Sequence, residues 1–131
     1  MFLLDKNTVV DYFRGKGKVA ERLLVLPPSE VGLPAVVAYE VWVGVLGSQN
    51  AQRRQSQLER FLSVVGVVPF DSKVAQRAAQ LRHALERRGE GIGAMDTLIA
   101  ATALAHNATL VTRSVKEFAR VQGLAVTNWY E

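Results

Sequence analysis

Four carboxylates stand at points where an α/β chain could bring them to one place. Asp5 directly follows a short apolar run, and Asp96 opens an apolar pattern of helical period. Glu117 comes a few residues after a β-branched run, and Glu40 lies within an otherwise apolar stretch. Carboxylates that converge repel one another, and a hard divalent cation that prefers oxygen ligands relieves that repulsion. These residue types suggest a Mg²⁺ or Mn²⁺ site able to activate a water and to polarise a phosphoryl oxygen.

Glu40 is the most informative of the four acids. Its helical neighbours Val36, Val37, Val43 and Gly44 offer no cation. A carboxylate without a partner in apolar surroundings is costly, or it shifts its pKa. Glu40 therefore needs a partner from another segment. A metal ion and a salt bridge to an arginine are both open.

The other acids also have purely structural explanations. The helix dipole favours a carboxylate in a first turn, which would suffice for Asp96. Asp5 could be a turn residue beside Asn7, which suits a helix N-cap. Glu117 alone could be a solvated helix residue. We assign Asp71 to structure, because an Asp-Ser start is typical of a helix N-cap.

Short apolar runs alternate with helical patterns along the whole chain, which predicts a parallel sheet between helices: a three-layer α/β/α sandwich, as a single domain over residues 1–131. The predicted strands are 2–4, 31–33, 67–68, 109–112 and 124–126, and the predicted helices are 7–14, 19–26, 34–46, 52–65, 72–88, 95–107 and 115–118. Ligands of such sheets bind beyond the carboxyl ends of the strands. The helix 34–46 is apolar almost all round, so it should be deeply buried or lie in a subunit contact.

The composition excludes several classes of protein. There is no cysteine, so disulfide frameworks and thiolate metal sites are excluded. The net charge of +4 favours, weakly, a nucleic acid or another acidic partner. The start MFLLDK is too short and too soon acidic for a signal peptide. The longest apolar region contains Pro34 and Glu40, so we expect no membrane span and a cytoplasmic protein.

No other catalytic pattern competes. His83 lies among arginines and His106 lies near a helix end, and neither joins a Ser-His-Asp pattern, a phosphate loop or a dinucleotide fingerprint. Thr112 and Ser114 could orient a water or a carboxylate beside the acids. Neighbouring cations could hold an RNA phosphate backbone; these are Arg113 and Lys116.

Five stretches of the chain together resemble the PIN-domain family, and within it the VapC-type toxins of bacterial and archaeal toxin–antitoxin pairs. These are the strand leading into Asp5-Lys6-Asn7, then 35–40, 69–71, 92–100 with the DTLIAATA string that begins at Asp96, and 110–118 with LVTR and EF. The likeness runs from Phe2 to Trp129. Each string alone is weak, and the combination is specific.

The resemblance implies a five-stranded parallel sheet and a Mg²⁺- or Mn²⁺-dependent endoribonuclease. By position, Asp5 and Asp96 match the family's main metal ligands, Glu40 its third acid and Glu117 a fourth acidic position. The supporting hydroxyl and amide positions match Asn7, Thr112 and Ser114.

The resemblance also implies partners: a second copy of the chain, and a VapB-like antitoxin that lays a tail over the acidic groove and forms a complex that binds promoter DNA. Two positions depart from the family pattern. Lys6 replaces a usual Thr, and it either points to solvent or brings a cation near the site. Ser114 replaces a usual Asn or Asp. A catalytically inactive scaffold that binds RNA or a protein is therefore an alternative.

Overall fold

The computed structural model describes residues 1–131 and contains one sheet of five strands. Its strands are β1 (Phe2–Leu4), β2 (Val31–Pro34), β3 (Gly66–Val68), β4 (Thr109–Val111) and β5 (Ala125–Thr127). They lie in the order β3-β2-β1-β4-β5, and every neighbouring pair is parallel. The predicted parallel α/β architecture is confirmed, with β1 at the centre of the sheet.

Helices alternate with these strands and flank the sheet. They are α1 (Lys6–Arg14), α2 (Val19–Leu24), α3 (Ala35–Leu46), α4 (Ala51–Val64), α5 (Ser72–Arg87), α6 (Ala94–Ala105) and α7 (Val115–Phe118), with a short 3₁₀ turn at Pro28–Glu30. α5 packs along α6, and α3 packs against both α1 and α4. None of these helices combines the length and the apolar character that crossing a bilayer needs.

The core lies on both faces of the central strands. The consecutive residues Leu3 and Leu4 of β1 are both fully buried, as are Leu110 and Val111 of β4. Successive strand residues point to opposite faces, so both faces of the sheet are covered. That double burial explains why these strands are continuous apolar runs rather than alternating ones.

The parallel register brings two strand ends together. Leu4 of β1 pairs with Val111 of β4, so Asp5 and Thr112 follow their strands at the same edge of the sheet. The backbone N–H of Asp5 also donates to the carbonyl of Val111 at 2.9 Å. The sheet thereby fixes the first carboxylate beside a hydroxyl from the other end of the chain.

Two local predictions were wrong. Asn7 is not the N-cap of the first helix: α1 begins at Lys6, and Asp5 caps it, accepting from the Lys6 N–H at 2.8 Å. Asp5 has the extended backbone that an N-cap needs and stands directly before the helix, so it caps α1 ahead of Asn7.

Deep burial of α3 was also wrong, because Tyr39 and Val43 are more than half exposed. The subunit contact that was the other expectation for this helix remains a prediction.

Candidate active site

Asp5 is a buried carboxylate held by two hydrogen bonds. Its Oδ2 accepts from the hydroxyl of Thr112 at 2.7 Å, and its Oδ1 accepts from the N–H of Lys6 at 2.8 Å. Burial raises the pKa of Asp5 more than these bonds lower it, and the negative charge of Glu117 raises it further. The Thr112 hydroxyl in turn accepts from the N–H of Ser114 at 3.0 Å. Asp5 is therefore fixed in orientation and costly to ionise.

Asp96 is affected by all three of the other acids. It lies half-buried in the first turn of α6. Burial, a hydrogen bond with Glu117, and the negative charges of Glu117, Asp5 and Glu40 raise the pKa of Asp96 to about 7. Asp96 would therefore be only partly ionised at neutral pH. This mutual effect shows that the fold brings the four carboxylates into one electrostatic environment.

Glu40 reaches the site from α3. It is half-buried, and burial, then the charge of Asp5, raise its pKa, while the charge of Lys6 lowers it. The ion pairs of the protein join Arg82 to Glu86, Arg88 to Glu90 and Arg113 to Asp11. The salt bridge that was one alternative for Glu40 therefore does not form. Lys6 is exposed, yet its charge acts on Glu40 and Asp5, so it does bring a cation near the acids.

A cavity of about 470 Å³ opens at this edge of the sheet, and we call it the acidic cavity. All but one of its lining residues are polar or charged. They are Asp5, Lys6, Asn7, Val10, Asp11, Arg14, Glu40, Asp96, Arg113 and Ser114. Three of the four carboxylates line it directly, and the fourth joins them through Asp96.

Glu117 stands where α7 meets the loop before α6. Its Oε1 accepts from the backbone N–H of Gly93 at 3.4 Å, and its influence on Asp96 places it beside that side chain. Glu117 is therefore coupled to the start of α6 both through Gly93 and through its effect on the pKa of Asp96. Lys116, its neighbour, is exposed and does not line the cavity.

Asn7 and Arg113 also line the acidic cavity. Oδ1 of Asn7 accepts from the backbone N–H of Arg113 at 3.3 Å, which ties α1 to the loop after β4. The guanidinium of Arg113 lies 4.0 Å from the ring centroid of Tyr130 and 3.5 Å from Oδ2 of Asp11. Arg113 is thus held in place by two partners of its own.

Sequence reasoning missed three wall residues, Val10, Asp11 and Arg14. They follow Asn7 at intervals of three, four and seven, which is one face of a helix. That spacing would have found them, given that Asn7 lines the site.

The donor set fits a hard dication. The cavity offers carboxylate and amide oxygens, and it contains no sulfur or imidazole. No three acidic or histidine side chains converge as the complete ligand set of one ion. Mg²⁺ usually binds through one or two carboxylates and keeps several waters. Asp5 and Asp96 suit that smaller set, because both have a raised pKa that a nearby cation would relieve.

Comparisons with known proteins identify the family that this chain resembles. The PIN domain family model matches residues 2–124. Ribonuclease VapC2 of Rickettsia felis is 38% identical over 106 residues, which are 81% of this chain and 79% of that protein. The tRNA(fMet)-specific endonuclease VapC of Shigella flexneri is 29% identical over 98% of this chain and 97% of its own length. A crystal structure of VapBC2 from Rickettsia felis bound to a promoter DNA fragment superposes with a TM-score of 0.90 at 34% identity, covering 98% of both chains. With this fold and this match over most of its length, the chain belongs to the PIN-domain family, in its VapC-type group.

Proposed function

We propose that this protein is a Mg²⁺- or Mn²⁺-dependent endoribonuclease, the toxin of a type II toxin–antitoxin pair, acting as a single domain. One observation carries the proposal: burial, together with Glu117, Asp5 and Glu40, raises the pKa of Asp96 to about 7, and none of these four acids has a basic partner in an ion pair. A nearby cation would stabilise the ionised form of such a carboxyl group. The relatives named as ribonuclease and endonuclease support the same activity.

The reaction we propose is hydrolysis of an RNA phosphodiester by in-line attack of water. A dication held by Asp5 and Asp96 would lower the pKa of that water and polarise the phosphoryl oxygen. Asp5 serves this role because Thr112 and the Lys6 N–H fix the direction of its carboxylate. Glu40, which forms no ion pair and has a raised pKa, would accept the proton that the attacking water loses.

Other wall residues would position the RNA. Arg113 lies on the cavity wall, and its guanidinium is already oriented by Tyr130 and Asp11, so it can present N–H donors to a phosphate oxygen. Lys116 would contact RNA only outside the cavity, since it is exposed and does not line it. Asn7 and Ser114 support the wall through their contacts with Arg113 and Thr112.

A catalytically inactive scaffold that binds RNA or a protein is the second candidate. Lys6 favours it, because its positive charge lowers the pKa of Glu40 and Asp5 and thus replaces part of the charge that a metal would supply. Calorimetric titration with Mg²⁺ and Mn²⁺ separates the two candidates. Absence of binding at millimolar metal would support the inactive scaffold.

The partners we propose are a VapB-like antitoxin and a second copy of this chain, in the cytoplasm. The related VapC2 was crystallised in a VapBC complex with promoter DNA, and we expect DNA binding here only through the antitoxin. An apolar cavity of about 600 Å³, walled by α1, α2 and α4, fits the apolar face of an antitoxin helix. The exposed side of α3 is the surface we assign to the second copy.

The decisive experiment replaces single carboxylates by their amides. Asp5→Asn and Asp96→Asn should each lower cleavage of RNA at least about 100-fold, the upper end for partners of metal ligands. Asp71→Asn is the matched control: Asp71 caps α5 by accepting from the Val74 N–H at 3.0 Å, and asparagine caps equally well. Cleavage at the wild-type rate by a folded Asp96→Asn protein would refute the assignment.

A further inference from the structure

A second cavity of about 420 Å³ lies beside the acidic one, and we call it the basic cleft. α1, α3 and α4 form its walls. Three of its lining residues are basic, Lys6, Arg14 and Arg54, and none is acidic. Ser48 and Gln57 add neutral polar groups. The cleft is therefore a concave surface with one sign of charge.

The basic cleft and the acidic cavity share a wall. Lys6, Val10 and Arg14 line both of them. These residues recur every four positions along α1, so they form one stripe of that helix. The two hollows therefore adjoin along Lys6 and Arg14, with the carboxylates lining one and Arg54 of α4 lining the other.

The cations of the cleft form no ion pair within the protein. Lys6, Arg14 and Arg54 take part in none of the three ion pairs, and their side chains donate no hydrogen bond to another residue. Scattered surface cations are ordinarily solvated and need no explanation. Here three cations line one hollow that has no acidic lining residue of its own, where a low-dielectric wall strengthens their shared field.

Gly44 leaves the cleft open on the α3 side. A Cβ built at Gly44 would meet no heavy atom within 4 Å. The backbone of α3 is therefore bare at that point, and a ligand can approach it closely. Any longer side chain at this position would project into free space.

We infer that the basic cleft binds the ribose–phosphate backbone of single-stranded RNA next to the phosphate that is cut. The inference rests on the proposed nuclease function. RNA carries a negative charge at every nucleotide, and the carboxylates of the acidic cavity repel it. Arg113 can hold a phosphate inside that cavity, whereas affinity for the adjoining nucleotides needs further cations, which the cleft supplies next to it.

The residue types suit a backbone rather than a base. Arg14 and Arg54 can each present paired N–H donors to phosphate oxygens. Ser48 and Gln57 can contact sugar hydroxyls or phosphate. The cleft thus holds and orients the strand, and its contacts do not depend on sequence.

The test measures binding of a fluorescein-labelled oligouridine by anisotropy, with EDTA present so that no cleavage occurs. Arg14→Ala and Arg54→Ala should each weaken binding about tenfold, the effect of losing one charge-assisted hydrogen bond. Each should also reduce the slope of log K against log salt by about 0.7. Arg53→Ala is the matched control, because Arg53 is the exposed neighbour on α4, lies outside both cavities and removes the same charge.

A second pair of variants tests the shape of the cleft without removing a cation. Gly44→Glu places a carboxylate in the open space, and Gly44→Gln places a neutral side chain of the same size there. Both replace a helical glycine by a better helix former, so neither should unfold the protein. Gly44→Glu should bind oligouridine at least about fivefold more weakly than Gly44→Gln, since it adds charge repulsion as well as bulk.

Kinetics separate this inference from the proposed function. Arg54→Ala should raise KM for oligouridine more than it lowers kcat, and the effect should shrink for the dinucleotide UpU, whose only phosphate is the one that is cut. If the wild-type protein cut no RNA, the proposed function would fail, and anisotropy would still rank the variants. If Arg54→Ala and Arg53→Ala behaved alike in a protein that does cut RNA, the cleft assignment alone would be overturned. If Arg54→Ala weakened binding of a polyglutamate peptide and not of oligouridine, the occupant would be an acidic polypeptide, which also overturns it.

Discussion

The hydroxyl of Thr112 donates a hydrogen bond of 2.7 Å to Oδ2 of Asp5, and 107 positions separate the two residues in the chain. Both side chains are buried. The contact follows from the sheet, because Leu4 and Val111 are partners in the parallel pairing of β1 and β4. Thr112 is therefore the residue that holds Asp5 at the edge of the acidic cavity.

Replacing this threonine should weaken both the fold and the site. Thr112→Val keeps the side-chain shape but leaves an oxygen of Asp5 and the N–H of Ser114 without their partner. We expect the free energy of unfolding to fall by about 1–3 kcal/mol, measured by urea denaturation. RNA cleavage should fall about 10–100-fold, as for other groups that orient metal ligands. Thr112→Ser keeps the hydroxyl and is the control; equal activity of the two variants would contradict the role of the bond.

Glu117 should control the ionisation of Asp96. Its hydrogen bond and its charge are the largest causes, after burial, that raise the pKa of Asp96 to about 7. Glu117→Gln removes that charge, so the pKa of Asp96 should fall towards its ordinary value. Carbon-13 NMR titration of the carboxyl groups in metal-free protein measures it. Glu59→Gln, on the exposed face of α4, is the control, and an unchanged pKa of Asp96 in Glu117→Gln would contradict the coupling.

The acidic cavity should make the metal-free protein less stable as pH rises. Asp96 has a folded-state pKa of about 7 against its ordinary value of 3.8, so the folded state binds more protons between these values. Its stabilising contribution is complete below the unfolded pKa and is lost as pH rises through the folded pKa. The raised pKa values of Asp5 and Glu40 act in the same direction.

Calorimetry at constant ionic strength checks this dependence. The Tm should fall between about pH 5 and about pH 8 without metal, and Mn²⁺ should raise it more at the higher pH, where the carboxylates are ionised. Asp96→Asn should flatten the profile because it removes the largest titration. A Tm that rises over this interval, or a profile unchanged by Asp96→Asn, would count against the electrostatic account of the cavity.

The acids could be found from the sequence because each stands at a marked boundary or breaks an apolar pattern. Asp5 ends an apolar run, and Glu40 is the one charge in the helix that carries it. The strand order was beyond sequence reasoning, since periodicity identifies strands but does not say which strands pair. The N-cap of α1 was misplaced because Asp5 and Asn7 both suit a cap, and only the extended backbone of Asp5 decides between them.

Residues whose role depends on tertiary position were harder to find. Arg14 and Arg54 are exposed on their own helices, and nothing in their local sequence marks them as contacts for a ligand. Only the packing of α1 beside α4 places both on one hollow next to the acids. The covering of the apolar side of α3 was left open for a related reason: a helix that is apolar all round predicts burial, but does not say whether its own chain or a partner covers it.

That exposed side of α3 should join two copies of the chain. Tyr39, Val43 and Leu46 are 61%, 55% and 62% exposed and recur at intervals of four and three, so they form one apolar stripe. Apolar stripes of this kind mark contact surfaces, and their burial favours association. Val43→Glu would place a charge in the middle of the contact. It should shift the protein from dimer to monomer in sedimentation velocity, with little change in the unfolding of the monomer.

Val25→Glu provides the matched control for this prediction. Val25 is 80% exposed and lies just after α2, outside the stripe, so the same substitution there should leave the dimer intact. A Val43→Glu protein that sediments with the mass of the wild-type dimer would exclude α3 as the interface. A wild-type protein that sediments as a monomer at micromolar concentration would exclude the dimer itself. A different partner would then have to cover the apolar stripe.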